Sequence, residues 1–129
     1  MLFRSELSSG QAATPKAVCV YCGSSDTADP AFLDAAFQIG ADFAKAGLKL
    51  VYGGGGVGLM GVMANAALKA GGKVVGIIPT FLLKREAGHP ALTETVVVET
   101  MHQRKLQMFE RSDAIVVLPG GIEIGRAHV

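Results

Sequence analysis

Four short clusters in this chain carry residue types that chemistry needs: "CGSS" at 22–25, "YGGGGVGLMG" at 52–61, "MHQRK" at 101–105 and "LPGG" at 118–121. In the second, a glycine turn runs into a helix start. Backbone N–H groups there can point at an anion, reinforced by the positive end of the helix dipole. Gly54, Gly55 and Gly58 form a loose G-x-G-x-x-G-like pattern, although the glycines equally serve a turn that is merely tight. No Lys-Ser/Thr follows, as a nucleotide-hydrolysing P-loop requires. The hydroxyls of "CGSS", with Ser24 the candidate, either bind a phosphate or ribose or simply open a turn. In "MHQRK", Arg104 and Lys105 fall in the first turn of a predicted helix, where cations oppose the dipole. An anionic partner accounts for that cost, and a solvated basic face is the alternative. Glu86, in "LKREAG" (83–88), either pairs with Lys84 or Arg85 at the surface or enters a site as an acceptor for a base or sugar. His102 reads as a polar helix-start residue, because no other His or Cys is suitably spaced to complete a ligand set.

The two cysteines, Cys19 and Cys22, form a C-x-x-C inside an apolar run. A redox pair needs a helix N-terminus to lower a thiol pKa, and a zinc site needs a second pair. In a strand, residues three apart face opposite ways, so these read as buried or pocket-edge thiols.

The elements that position the clusters follow from periodicity and punctuation. Short apolar runs at 16–23, 48–54, 73–79, 94–100 and 113–121 read as strands. Segments 30–47 and 58–72 have helical spacing with Gly at their ends, and 101–112 reads as a helix with Leu106 and Phe109 on one face. Residues 80–93 form a polar loop or broken helix, and 1–15 a loose N-terminal arm. Strand–helix alternation with apolar strands means a parallel sheet covered on both faces. The fold class is α/β, a Rossmann-like doubly wound parallel sheet, as one domain over 16–122. All four clusters then meet at the carboxyl rim of the sheet, where such folds bind ligands.

Composition agrees. Half of the 129 residues are hydrophobic and 18% are charged, enough for a core. A net charge of +1 argues against nucleic acid or anionic membrane as partner. Residues 50–68 carry no charge, but six glycines, four consecutive, make a poor membrane helix. The N-terminus has charges within its first six residues and no apolar h-region, so it is not a secretory signal. The expected location is the cytoplasm.

In this order and at these separations, "VYCGSS", "LVYGGGGVGLMG", "MHQRK" and "LPGG" resemble the LONELY GUY family. These are cytokinin riboside 5'-monophosphate phosphoribohydrolases, labelled in older usage lysine decarboxylase-like proteins. The resemblance runs from residue 16 to about 122. It implies cleavage of the N-glycosidic bond of a purine nucleoside 5'-monophosphate, AMP or a cytokinin nucleotide, to free base and ribose 5-phosphate. It also implies no metal or organic cofactor and a homodimer or larger assembly of dimers. Carried over by position, Arg104 matches the catalytic arginine, Lys105 its neighbour in the site and Glu86 an acidic substrate-contacting position. Gly120 and Gly121 match the start of the phosphate loop. The implied substrate-binding set is Ser24, Gly54, Gly55, Gly58, Met60, Glu86, Lys105, Gly120, Gly121 and Ile122.

The chain departs from the family at its end. The pattern P-G-G-x-G-T-x-x-E would place Gly at Glu123, Thr at Ile124 and the catalytic Glu at Ala127. Agreement stops after Gly121. Ile-Gly-Arg-Ala-His-Val, residues 124–129, is what ATC GGA AGA GCA CAC GTC would encode, a string within a common sequencing adapter, whose leading AG would also complete a GAG codon for Glu123. Residues 123–129 are therefore expected to be translated adapter, with the natural frame lost after Ile122. On this reading the C-terminal part of the fold is missing, and the polypeptide as written is inactive and prone to aggregate. Three other readings stay open. A non-catalytic nucleotide-binding module would suit the absent carboxylate. A nicotinamide oxidoreductase is disfavoured because the glycine loop follows the second strand instead of the first. An amino-acid decarboxylase would need a marked Schiff-base lysine for its cofactor.

Overall fold

The helices are delimited by signals that lie in the chain itself. At the first, the Asp29 side chain accepts the N–H of Ala31 at 2.8 Å and Pro30 takes the first helical position. At its far end Gly47 takes φ +73°, and the Leu48 N–H reaches back to the Phe43 carbonyl at 2.9 Å. The second ends the same way, with Gly71 at φ +84° and Gly72 N–H on the Ala67 carbonyl at 2.8 Å. In the third, "TMHQ" forms a capping box: the Gln103 N–H donates to Thr100 Oγ1, and Gln103 Oε1 accepts from the Thr100 and Glu99 N–H groups.

The computed structural model describes residues 2–3, 16–22 and 29–117. The elements are β1 (Leu2–Phe3), β2 (Ala17–Tyr21), α1 (Pro30–Lys45), β3 (Lys49–Tyr52), α2 (Gly58–Lys69), β4 (Val74–Pro79), a 3-10 turn (Thr80–Leu82), β5 (Glu94–Val98), α3 (Met101–Glu110) and β6 (Ala114–Val117). The sheet order is β1-β6-β2-β3-β4-β5, parallel throughout except for β1, which pairs antiparallel with β6. Two residues of the expected loose arm are thus an edge strand, with Leu2 opposite Ile115 and Phe3 opposite Ala114.

Alternation along the strands divides the core in two. Val20, Leu50, Tyr52 and Val74 pack with Leu59, Met60 and Met63 on the α1–α2 face. Cys19, Val51, Val75, Ile77 and Val98 pack with Met108 on the α3 face. This is the doubly wound α/β sheet expected from the alternation. Each fully buried aliphatic side chain contributes about 1.5–3 kcal/mol. The edge strand β5 departs from the expected two-sided burial, since Val97 is exposed.

Helix α3 packs on the sheet through Arg104 and Met108. Leu106 (48% exposed) and Phe109 (44%) share one face as expected, and that face is the outward one. The sheet-facing position is held by a cation whose head is paired in the interior. No helix of the described residues is long and apolar enough to cross a membrane.

Helices α1 and α2 touch through Gly40, where an added Cβ would run into the Met63 carbonyl, with Ala66 Cβ 3.1 Å away. Backbone cannot give way there as a side-chain tip can. Gly40→Val should lower stability by about 1–3 kcal/mol, read as a lower denaturant midpoint.

Candidate functional site

The site grows from the carboxyl ends of β3, β4 and β5. Strand β3 ends at Tyr52 and runs straight into the glycines. Gly54 adopts φ +81°, which only glycine takes without cost, and its backbone lies against Gly76 of β4, where a Cβ would sit 2.7 Å from the Gly54 Cα. The turn is held from within by the Tyr52 hydroxyl, which donates to the Gly55 carbonyl at 2.7 Å. Burial pushes the Tyr52 phenol up, with the Cys22 thiol adding to the shift and Arg104 opposing it.

From the other side the loop after β4 closes over the turn. The Gly56 N–H donates to the Glu86 carbonyl at 3.0 Å, Gly55 pairs with Gly88, and the His89 N–H donates to the Gly54 carbonyl at 3.0 Å. These bonds bring the Glu86 side chain inward. It is 8% exposed and meets Arg104, 7% exposed, with Glu86 Oε1 2.6 Å from Arg104 Nη2. The same Nη2 donates to the Gly53 carbonyl, and Nε donates to the Ile77 carbonyl at 2.9 Å. One guanidinium therefore ties α3 to β3, to β4 and to the loop. A charge-assisted contact of this kind is roughly twice as strong as a neutral one.

Arg104 and Glu86 come together, so Glu86 is not in a surface pair with Lys84 or Arg85, both of which are exposed. The anionic partner that Arg104 needs lies within the chain. Lys105, one residue on, has turned away from the sheet and is exposed, so it is not brought beside Arg104 in the interior. Gly54, Gly55 and Gly58 do form the turn and helix start. Gly58 takes φ +61°, and α2 has no side-chain cap. The neighbouring Gly56 N–H, however, is already occupied by Glu86. Met60 is core: its Sδ and Cε fill the space that side chains at 53 and 55 would need. Ser24, Gly120, Gly121, Ile122 and the whole segment 123–129, including Ala127, lie outside the described residues.

Sequence reasoning missed Tyr52, Gly53, Asn65 and His89. Asn65 and His89 are bonded to each other, with 2.6 Å between Asn65 Oδ1 and His89 Nε2. Nothing in their spacing, 24 residues apart, announces that contact. The capping box that aims Arg104 was legible as T-x-x-Q. The cysteines lie as expected for a strand, Cys19 in the α3-face core and Cys22 against the α1–α2 face. Among the described residues no group of three or more His, Cys, Asp or Glu is placed to hold a metal.

Comparison with known proteins shows what the chain resembles. A family model described as "Possible lysine decarboxylase" matches residues 60–123. A protein of Rhodococcoides fascians named cytokinin riboside 5'-monophosphate phosphoribohydrolase is 50% identical over 110 residues, covering 84% of this chain and 56% of the relative. A protein of the same name from Arabidopsis thaliana is 43% identical over 106 residues, covering 82% of this chain and 49% of its own length. The chain thus spans about half the length of the curated relatives it matches. The molybdenum cofactor carrier protein of Chlamydomonas reinhardtii shares the fold, with TM-score 0.70 at 21% identity, covering 85% of this chain and 66% of that one. Over most of its length this chain is similar in sequence to these phosphoribohydrolases.

Two measurements follow. Glu86→Ala leaves a buried guanidinium without its counter-ion and should cost about 3–5 kcal/mol, against a much smaller loss for Lys84→Ala, by denaturant titration. Burial pushes both Cys19 and Cys22 up to about 12, with the Glu86 charge adding to the effect at Cys22. The folded state therefore favours the thiols, a contribution present below the unfolded value near 9.0 and lost as pH rises toward 12. At pH near 8 both should resist alkylation in the folded protein and react only when it is unfolded.

Proposed function

We propose that the protein hydrolyses the N-glycosidic bond of purine nucleoside 5'-monophosphates, cytokinin-type or AMP, to free base and ribose 5-phosphate. The observation that carries this reading is the buried Arg104–Glu86 pair set beside the glycine turn at the carboxyl rim of a parallel sheet. Relatives at 50% and 43% identity bear the matching enzyme name.

The chemistry suits these groups. Cleavage passes through an oxocarbenium-like state, which a carboxylate can stabilise or attack. A fixed cation stabilises charge building on the departing base, and capture of the 5'-phosphate in glycine turns positions the anomeric carbon between them. Arg104 is the proposed cation, and Glu86 both orients it and accepts from the substrate. Ser24, Lys105, Gly120, Gly121 and Ile122 are proposed to complete the phosphate and sugar contacts, with no cofactor. The remaining carboxylate is proposed to come from a P-G-G-x-G-T-x-x-E segment, whose position falls on Ala127 here. The 129-residue chain as written is accordingly proposed to be inactive, and a version continued after Ile122 with that segment active. A homodimer in the cytoplasm is proposed for the whole protein; the outward Met101, Leu106 and Phe109 of α3 suit burial against a second copy.

Chromatography of AMP and isopentenyladenosine monophosphate digests tests the reading. The continued protein should release free base with ribose 5-phosphate, the 129-residue chain should not, and Arg104→Lys in the continued protein should lower kcat about 10²–10³-fold. Tight AMP binding by the continued protein without turnover would replace hydrolysis with a nucleotide-binding role, the reading that the residue at Ala127 favours.

A further inference from the structure

His89 is used at three points at once. Its backbone N–H donates to the Gly54 carbonyl at 3.0 Å. Its Nδ1 accepts the N–H of Ala91 at 3.1 Å. Its Nε2 lies 2.6 Å from Asn65 Oδ1 on α2. A backbone N–H can only donate, so Nδ1 carries no proton, and the neutral ring holds its hydrogen on Nε2 and donates to Asn65. His89 thus joins the glycine turn through its backbone, and α2 and the far end of the loop that carries Glu86 through its ring.

That loop needs holding. Between Glu86 and Gly88 the chain passes through Ala87 at φ +46°, a left-handed conformation that costs a non-glycine residue. On one side of the strained residue Glu86 is bound to Arg104, and its carbonyl accepts from Gly56. On the other, His89 supplies the anchor. An unanchored loop would relax at Ala87 and carry the Glu86 carboxylate away from Arg104.

We propose that His89, locked as the neutral Nε2–H tautomer by Asn65 and the Ala91 N–H, is a latch that positions Glu86 over the glycine turn and opens when the ring is protonated. Protonation places a hydrogen on Nδ1, which then faces the Ala91 donor instead of accepting from it. The charged groups on the elements around the ring are exposed cations and one paired carboxylate. On α2, Asn65 is neutral and Lys69, one turn further, is exposed; on the loop, Lys84 and Arg85 are exposed and Glu86 is engaged by Arg104; the glycine turn has no side chains. Desolvation by burial holds the ring below its ordinary range. The latch therefore stabilises the fold above the unfolded His range, and this contribution is lost as pH falls through the folded value. Its service to catalysis rests on the hydrolase reading above, whereas the latch itself does not.

The test separates the two. Nitrogen NMR of the histidine-labelled chain, with His89 assigned by His89→Gln, reads the tautomer, and amide exchange reads protection at Gly56. The Nε2–H form at pH near 7.5 is expected. Gly56 protection should fall about tenfold or more in Asn65→Ala and on acidification through the His89 titration. Asn65→Asp keeps an acceptor and adds a negative charge, so it should retain protection at neutral pH and move both the titration and the loss of protection upward by about one pH unit or more. A purely structural contact would not make those two move together. A hydrogen on Nδ1 at neutral pH, or Gly56 protection indifferent to Asn65→Ala, would overturn the latch. Where the continued protein turns over nucleotide, the acid limb of its kcat profile should move with Asn65→Asp; an unmoved limb would overturn the catalytic service while leaving the latch standing.

Discussion

A guanidinium held almost out of water governs this end of the molecule. Moving such a charge into the interior costs several kcal/mol unless every donor is met. Arg104 is met by one carboxylate and two backbone carbonyls from three separate segments. Each acceptor constrains its own element. The Ile77 carbonyl must be presented by β4, Gly53 must follow β3 without a side chain, and the loop after β4 must turn Glu86 inward. At Gly53 a Cβ would lie 3.0 Å from the Arg104 Cζ. The run of glycines is therefore in part a consequence of the arginine, beyond any ligand it serves.

The same constraint explains why the loop carries strain. Glu86 is held by its carboxylate and by its carbonyl, so the chain has little freedom in how it leaves, and Ala87 absorbs the mismatch at φ +46°. Strain of this kind, on the order of 1–3 kcal/mol, persists only where neighbours over-determine it. Here the neighbours are the glycine turn, Arg104 and the His89–Asn65 contact. Rigid placement of a carboxylate and a cation beside a glycine turn is what a reaction with a charged transition state requires. Loop, turn and helix are thus one mechanical unit, although they come from three stretches of chain.

Much of the fold was legible. Five parallel strands and three helices follow from apolar runs broken by Pro, Gly and Asp, because local capping and turn chemistry act within a few residues. The carboxyl-rim position of "YGGGGVGLMG" and "MHQRK" followed from that alternation. The facing of helix α3 was left open by the sequence. Leu106 and Phe109 share one face, as their spacing indicated, but that face is outward, whereas Arg104 and Met108 face the sheet. Spacing cannot reveal that a cation will be buried, because its burial depends on acceptors remote in the chain. The edge exposure of Val97 and the pairing of Leu2–Phe3 with β6 were equally out of reach, since strand order belongs to the whole sheet.

The amino-acid sequence by itself determined the alternating elements, their caps, the glycine turn and the resemblance of this stretch to the phosphoribohydrolases. Each is written in residue types that act locally or in motifs that recur in order. Only the tertiary structure decided that Glu86 meets Arg104 and not Lys84 or Arg85, that Lys105 stays outside, and that His89 reaches Asn65. Those contacts join residues 18 and 24 positions apart. Their formation depends on burial and on backbone acceptors that exist only once β3, β4 and α2 have been brought side by side.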